Sequence, residues 1–109
     1  MATKEKKYGY IRKLIDKVTT SPSNNMCFPY YRHLVELTSG TNGYVSVTIY
    51  NTEDRYDGEM ADFSFDYWTH KLYIWFGESE TLIEKIISAF KSIYASQDVT
   101  VAIDEQEQD

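Results

Sequence analysis

Apolar and polar positions alternate with two different periods along this chain, and the change of period marks its elements. Over residues 5–18, Ile11, Leu14, Ile15 and Val18 recur at i, i+3, i+4 and i+7 with Lys6, Lys13 and Lys17 between them. That spacing predicts an amphipathic helix with a basic outer face. The segment TTSPSNN that follows is turn chemistry, because Pro22 cannot continue a helix and Asn24 and Asn25 favour local backbone bonds, so a loop is expected as far as about Pro29. The period then becomes two. Tyr31, His33, Val35 and Leu37 fall on one side of an extended run, and Val45, Val47 and Ile49 fall on one side of the next, with SGTNG between them, which predicts a β-hairpin. A second hairpin follows. In it Phe63, Phe65 and Tyr67 alternate with Asp62, Ser64 and Asp66, and Leu72, Ile74 and Phe76 alternate with Tyr73 and Trp75, around the connector WTHK.

The helical period returns near Ser79. Ser79 or Thr81 can cap the helix, the latter with Glu84 in a capping box, and Glu78 and Glu80 suit the positive helix start. Leu82, Ile83, Ile86, Ile87, Phe90, Ile93 and Tyr94 form a wide apolar stripe that must cover one face of the sheet. VTVAID is suited to a short final strand, and residues 104–109 to a disordered tail. The expected fold is a single α+β domain: an N-terminal helix, an antiparallel sheet of three to four strands, a C-terminal helix packed on the sheet and a short last strand. Tyr44, Tyr50, Tyr73 and Trp75 fall on the face opposite the apolar one. They are expected to lie beneath the first helix or the loop after it, an exposed interaction patch being the other reading.

Composition adds constraints to this outline. The chain has 109 residues, 42% of them apolar and 16% aromatic, enough for a core of its own. Its single cysteine, Cys27, excludes an internal disulfide and leaves no zinc motif, which points to a reducing cytoplasmic setting. No signal-like or membrane-spanning apolar run is present. The net charge of −6 is unevenly divided: residues 1–35 hold seven basic and two acidic residues, and residues 36–109 hold four basic and fifteen acidic, so the two parts carry +5 and −11. An acidic body of this kind repels nucleic acid and attracts basic partners.

The acids concentrate in NTEDRYDGEMADFSFDY, residues 51–67, where six of seventeen residues are acidic, one is arginine and four are aromatic. General acid–base catalysis needs a shielded site that drives carboxyl pKa values apart, and a loop and an outer strand face do not supply one. A calcium loop fails on Arg55 and Ser64 at ligand positions. Cys27 beside Met26 and Phe28 reads as a packing residue, and no phosphate-binding or dinucleotide motif occurs. The expectation is a protein that is not an enzyme and needs neither metal nor cofactor. Its partner-binding candidates are Glu53, Asp54, Asp57, Gly58, Glu59, Asp62 and Asp66, with Asn42 in the first connector. Alternate residues of a strand stand about 6.5–7 Å apart, so such acids form a spaced negative row comparable with the phosphates of a nucleic-acid strand. A protein built to bind DNA would find its Arg and Lys satisfied by that row.

The last helix, ESETLIEKIISAFKS, resembles one in a family of small acidic phage-encoded anti-CRISPR proteins that inhibit type II-A Cas9, whose form there is ESxxEKxISAFK. Glu84, Lys85, Ile87, Ser88, Ala89, Phe90 and Lys91 carry the match. IRKLIDKV is similar to that family's first helix, VELTSGTNG to its first hairpin connector, and Asp57-Gly58-Glu59 to an acidic Asp-Gly turn between later strands. The resemblance implies a phage or mobile-element inhibitor in the cytoplasm of a bacterial cell. Such an inhibitor would bind Cas9 with its guide RNA, cover the basic surface that reads the PAM and direct the Asp57–Glu59 turn at the nuclease site, with Thr41, Asn42 and Gly43 as further contacts. The chain departs from the family in its longer loop around Asp57 and in carrying VTVAID and a short tail where the family has an acidic C-terminal helix. An immunity protein or antitoxin that neutralises a basic nuclease, and a non-inhibitory acidic adaptor, are the other function classes this composition allows.

Overall fold

The computed structural model describes residues 8–19, 26–39 and 43–103. In chain order these form α1 (Ile11–Thr19), β1 (Met26–Tyr30), β2 (His33–Ser39), β3 (Tyr44–Tyr50), a single 3-10 turn (Arg55–Asp57), β4 (Glu59–Asp66), β5 (Lys71–Gly77), α2 (Glu80–Ile93) and β6 (Thr100–Ile103). The strands lie side by side in one six-stranded sheet in their sequence order. Neighbours from β1 to β5 are antiparallel, and β6 runs parallel to β5 after the α2 crossover that a parallel pair requires. The fold is therefore α+β as expected, but the sheet is mixed where an antiparallel one was expected, and β1 is added to the four strands and short last strand of the expectation.

β1 was hidden by Pro29. A proline has no N–H for the ladder, which argues against a strand inside a sheet, but β1 is an edge, where only its β2 side needs pairing. The β1–β2 turn is tight, since Tyr30 pairs with His33 and Tyr31 takes the left-handed conformation (φ 57°). Tyr31 thus belongs to the turn and not to the strand that its alternation suggested.

Both helices cover one face. Val35, Leu37, Val45, Val47, Ile49, Ala61, Phe63, Phe65, Leu72 and Ile74 from the sheet are buried with Ile11, Leu14, Ile15 and Val18 of α1 and Leu82, Ile86, Ala89 and Phe90 of α2 in a single core. Burying such side chains contributes about 1.5–3 kcal/mol each for the larger aliphatic and aromatic ones. Ser79 is the cap of α2, its Oγ accepting from the Leu82 N–H at 3.2 Å. The Tyr8 hydroxyl donates to Glu78 at 2.7 Å and so ties the chain just before α1 to the start of α2.

Two bulges alter the strand pattern. Between Ile49/Tyr50 and β4 the register skips Met60, so that Met60 and Ala61 are both buried. Between Phe63–Ile74 and Asp62–Phe76 it skips Trp75. The second bulge turns Phe76 out of the core, where its alternation with Leu72 and Ile74 had placed it, and leaves it 40% exposed opposite Asp62. No helix of the described residues is long and apolar enough to cross a membrane.

Candidate acidic interface on the open sheet face

With α1 and α2 on one side, the described elements leave the other sheet face uncovered. This corrects the expectation that the first helix packs over the outer aromatics: its apolar stripe is buried in the core, while Tyr44 and Trp75 stay 41% and 43% exposed. Thr41, Asn42, most of the loop after α1 and residues 104–109 lie outside the described residues.

The predicted acids divide into two groups. Glu53, Asp54, Asp57 and Glu59 are all exposed around the loop of residues 51–58, together with Gly58. Asp62 and Asp66 are half-buried on β4, at the two ends of its open-face row. Because β4 pairs with β3 and β5, the acids follow the middle of the sheet rather than an edge, with Asp62 and Asp66 about 13 Å apart by strand rise.

The loop has a defined shape. Asp54 caps the 3-10 turn, its Oδ1 accepting from the Tyr56 N–H at 3.0 Å. Thr52 Oγ1 donates to Asp57 Oδ2 at 2.6 Å, and Asn51 Nδ2 donates to the Asp57 carbonyl at 3.0 Å. Gly58 then reverses the chain with φ 94°, a conformation suited to glycine, and the Asn51 N–H donates to its carbonyl at 2.9 Å. The one arginine of the loop is turned back onto the sheet. Arg55 pairs with Glu36 on β2 and lies over the Tyr50 ring at 5.6 Å, while the Tyr50 hydroxyl donates to the other Glu36 oxygen at 2.8 Å. Glu36 raises the Arg55 pKa, and the hydrogen bond to Glu36 raises that of Tyr50. Arg55 Nη2 also donates to the exposed Cys27 Sγ at 3.7 Å, and none of these partners was visible in sequence. Glu36 is nineteen residues away and becomes a neighbour only through the β2–β3 register.

The strand acids have separate surroundings. Burial first, and then Glu59, raise the Asp62 carboxyl above its ordinary range, partly opposed by Thr48 Oγ1 donating at 3.4 Å. Asp66 builds the β4–β5 turn: its Oδ1 accepts from the N–H groups of Trp68 and Thr69 at 2.8 and 3.1 Å. Among the described residues no group of three His, Cys, Asp or Glu side chains is placed to hold a metal ion. What the surface offers is a preformed negative loop, its arginine paired with Glu36, leading onto an aromatic and acidic sheet face. Compared with models of known protein families, with characterised proteins and with solved structures, the chain matches none.

Proposed function

We propose that this protein is a phage or mobile-element inhibitor that binds a basic nucleic-acid-binding effector and blocks its access to DNA by presenting DNA-like negative charge. The observation that carries this reading is the loop of residues 51–58: four acids around it are exposed, internal hydrogen bonds fix its shape, and its only cation is withdrawn to Glu36. A shaped loop loses little conformational freedom on binding, and its exposed carboxylates steer a basic surface toward it. The resemblance of the last helix makes Cas9 with its guide RNA the effector to test first.

The test uses a neutral variant that keeps one acceptor oxygen at each position, Glu53→Gln, Asp54→Asn, Asp57→Asn and Glu59→Gln combined, beside the unmodified protein. Each is added to guide-loaded Cas9 before target DNA, and each is used to capture partners from a bacterial lysate. The reading predicts that the unmodified protein suppresses DNA cleavage, or retains one basic nucleic-acid-binding protein, and that the neutral variant does neither. Retention of a toxic nuclease in place of Cas9 selects the immunity-protein alternative. Equal retention by both proteins would place the active surface away from this loop.

A further inference from the structure

The open face is indented midway along β4, between Asp62 and Asp66. Ser46 and Ser64 are cross-strand partners with hydroxyls 2.9 Å apart, and their small side chains form a floor between taller aromatic neighbours. On the β3 side stands Tyr44, and on the β5 side stand Tyr73 and Trp75, whose rings are parallel within 6° at 5.5 Å. The bulge at Trp75 brings its indole over β4, where Nε1 donates to Ser64 Oγ at 3.0 Å and fixes the ring. Asp66 closes one end. Its Oδ1 is occupied by the turn, and among the described residues its Oδ2 receives no donor. The resulting depression of about 310 Å³ is lined by Tyr44, Ser64, Asp66, Tyr73 and Trp75.

We propose that this depression is the seat of an arginine side chain presented by the basic partner. The inference rests on the reading of the chain as a binder of a basic protein, and adds which side chain is recognised and where. A guanidinium is planar and weakly hydrated, so it stacks on aromatic rings at the same time as its fork of N–H groups meets a carboxylate. Exposed rings of Tyr44 and Trp75 and the open oxygen of Asp66 supply those partners together. Lys71 shows that the stack accepts a cation, its Nζ lying 5.0 Å from the Tyr73 ring centre. Lys71 is also the cross-strand partner of Asp66, but it is not among the residues that line the depression, and the Trp75 ring stacks on Tyr73 at 5.5 Å. The position is also apt: an arginine seated here would sit in the line of acids between Asp62 and Asp66, on the same face toward which the charged loop leads.

The probe is N-acetyl-arginine amide, titrated into isotopically labelled protein while the Trp75 indole N–H resonance is followed. The control is N-acetyl-citrulline amide, which has nearly the same shape and no charge. The arginine probe is expected to shift the Trp75 signal saturably, with a Kd on the order of millimolar for a single side chain, and the citrulline probe to leave it nearly unmoved. Tyr44→Ala removes one ring, and Asp66→Asn removes the charge while keeping an oxygen for the turn. Each is expected to weaken arginine binding by about fivefold or more with the rest of the spectrum native. Equal shifts from the two probes, no saturable shift, or unaltered binding by both variants would overturn the proposal. The outcome is separable from the function proposed above. If the neutral loop variant loses its partner but arginine fails to titrate Trp75, the site falls and the function stands. If arginine titrates normally but the neutral loop variant keeps its partner, the site stands and the loop reading falls.

Discussion

The Trp68 indole rests directly on the backbone of Gly43: a Cβ placed on that glycine would lie 2.5 Å from Trp68 Cε2. Gly43 has φ 85°, and its carbonyl accepts the Tyr67 N–H at 2.7 Å, so the turn after β4 is seated on the residue just before β3. Two costs therefore fall on Gly43→Ala. The left-handed backbone costs a residue with a Cβ about 1–2 kcal/mol, and the indole must also move. Adding Trp68→Ala should relieve the second cost and not the first. Chemical denaturation of the two single variants and the double variant is expected to give a coupling of about 0.5–3 kcal/mol. Strict additivity would show that the indole does not sit on Gly43 in solution.

Phe90 joins α2 to the sheet. It is fully buried, with its ring 4.7 Å from that of Phe65 and 5.9 Å from that of Phe63. Phe90→Ala should cost about 3–5 kcal/mol, a large share of the roughly 5–15 kcal/mol that a domain has in total. Ile87, one residue round the helix from Ile86, is only partly buried, and Ile87→Ala should cost clearly less. Thermal melts of the two variants check the ranking. A Phe90→Ala protein that melts like the unmodified one would mean that α2 docks differently.

Periodicity made some of this structure legible and long-range pairing withheld the rest. The i, i+3, i+4 stripe of α1, the apolar stripe of α2 with its Ser79 cap, and the alternation in β2 to β5 are each set by neighbours within a turn or a strand, and the sequence displays them. β1 was obscured because Pro29 is acceptable only at an edge, and nothing local says which strand is the edge. Phe76 misleads for a similar reason: its side of the sheet depends on the Trp75 bulge, a property of the β4–β5 register and not of the strand alone. At the candidate site, the exposure of Glu53, Asp54, Asp57 and Glu59 followed from composition, whereas the withdrawal of Arg55 to Glu36 needed the fold. Asp66 was legible as an acid but serves the turn as well, which the sequence Asp-Tyr-Trp-Thr allows for any aspartate that can accept from the N–H groups two and three residues on.

Asp62 gives a pH dependence with a definite sign. Its folded pKa is raised above the ordinary value of 3.8, chiefly by burial, so the folded state holds the proton more tightly than the unfolded chain. Above the raised value the ionised carboxylate detracts from stability, and that deficit disappears as pH falls through the raised value toward 3.8. Asp62→Asn removes the charge and leaves an oxygen for Thr48. The variant should be more resistant to denaturant than the unmodified protein at neutral pH and equal to it near about pH 3. A variant less stable at neutral pH would show that the Thr48 contact outweighs desolvation.

Charge and shape can be separated at Asp57, because this residue supplies both. Its Oδ2 accepts from Thr52 Oγ1 at 2.6 Å inside the loop, and its charge belongs to the proposed interface. Asp57→Asn keeps an acceptor oxygen and loses the charge, whereas Asp57→Ala loses both. If the loop owes its shape to that hydrogen bond, the alanine variant alone should show faster hydrogen exchange at the Asp57 and Gly58 amides, which otherwise donate to the carbonyls of Asp54 and Arg55. Neither variant should change global stability by more than about 0.5 kcal/mol, since the residue is exposed and far from the core. Partner binding should respond to both, with slower association at low salt for each, because the lost long-range attraction is the same. Dissociation should be faster for alanine than for asparagine, since only alanine adds the entropy of an unfixed loop to the lost charge. If asparagine binds the partner as tightly and as fast as aspartate, the carboxylate is a loop-building group and the charge at this position has no part in recognition.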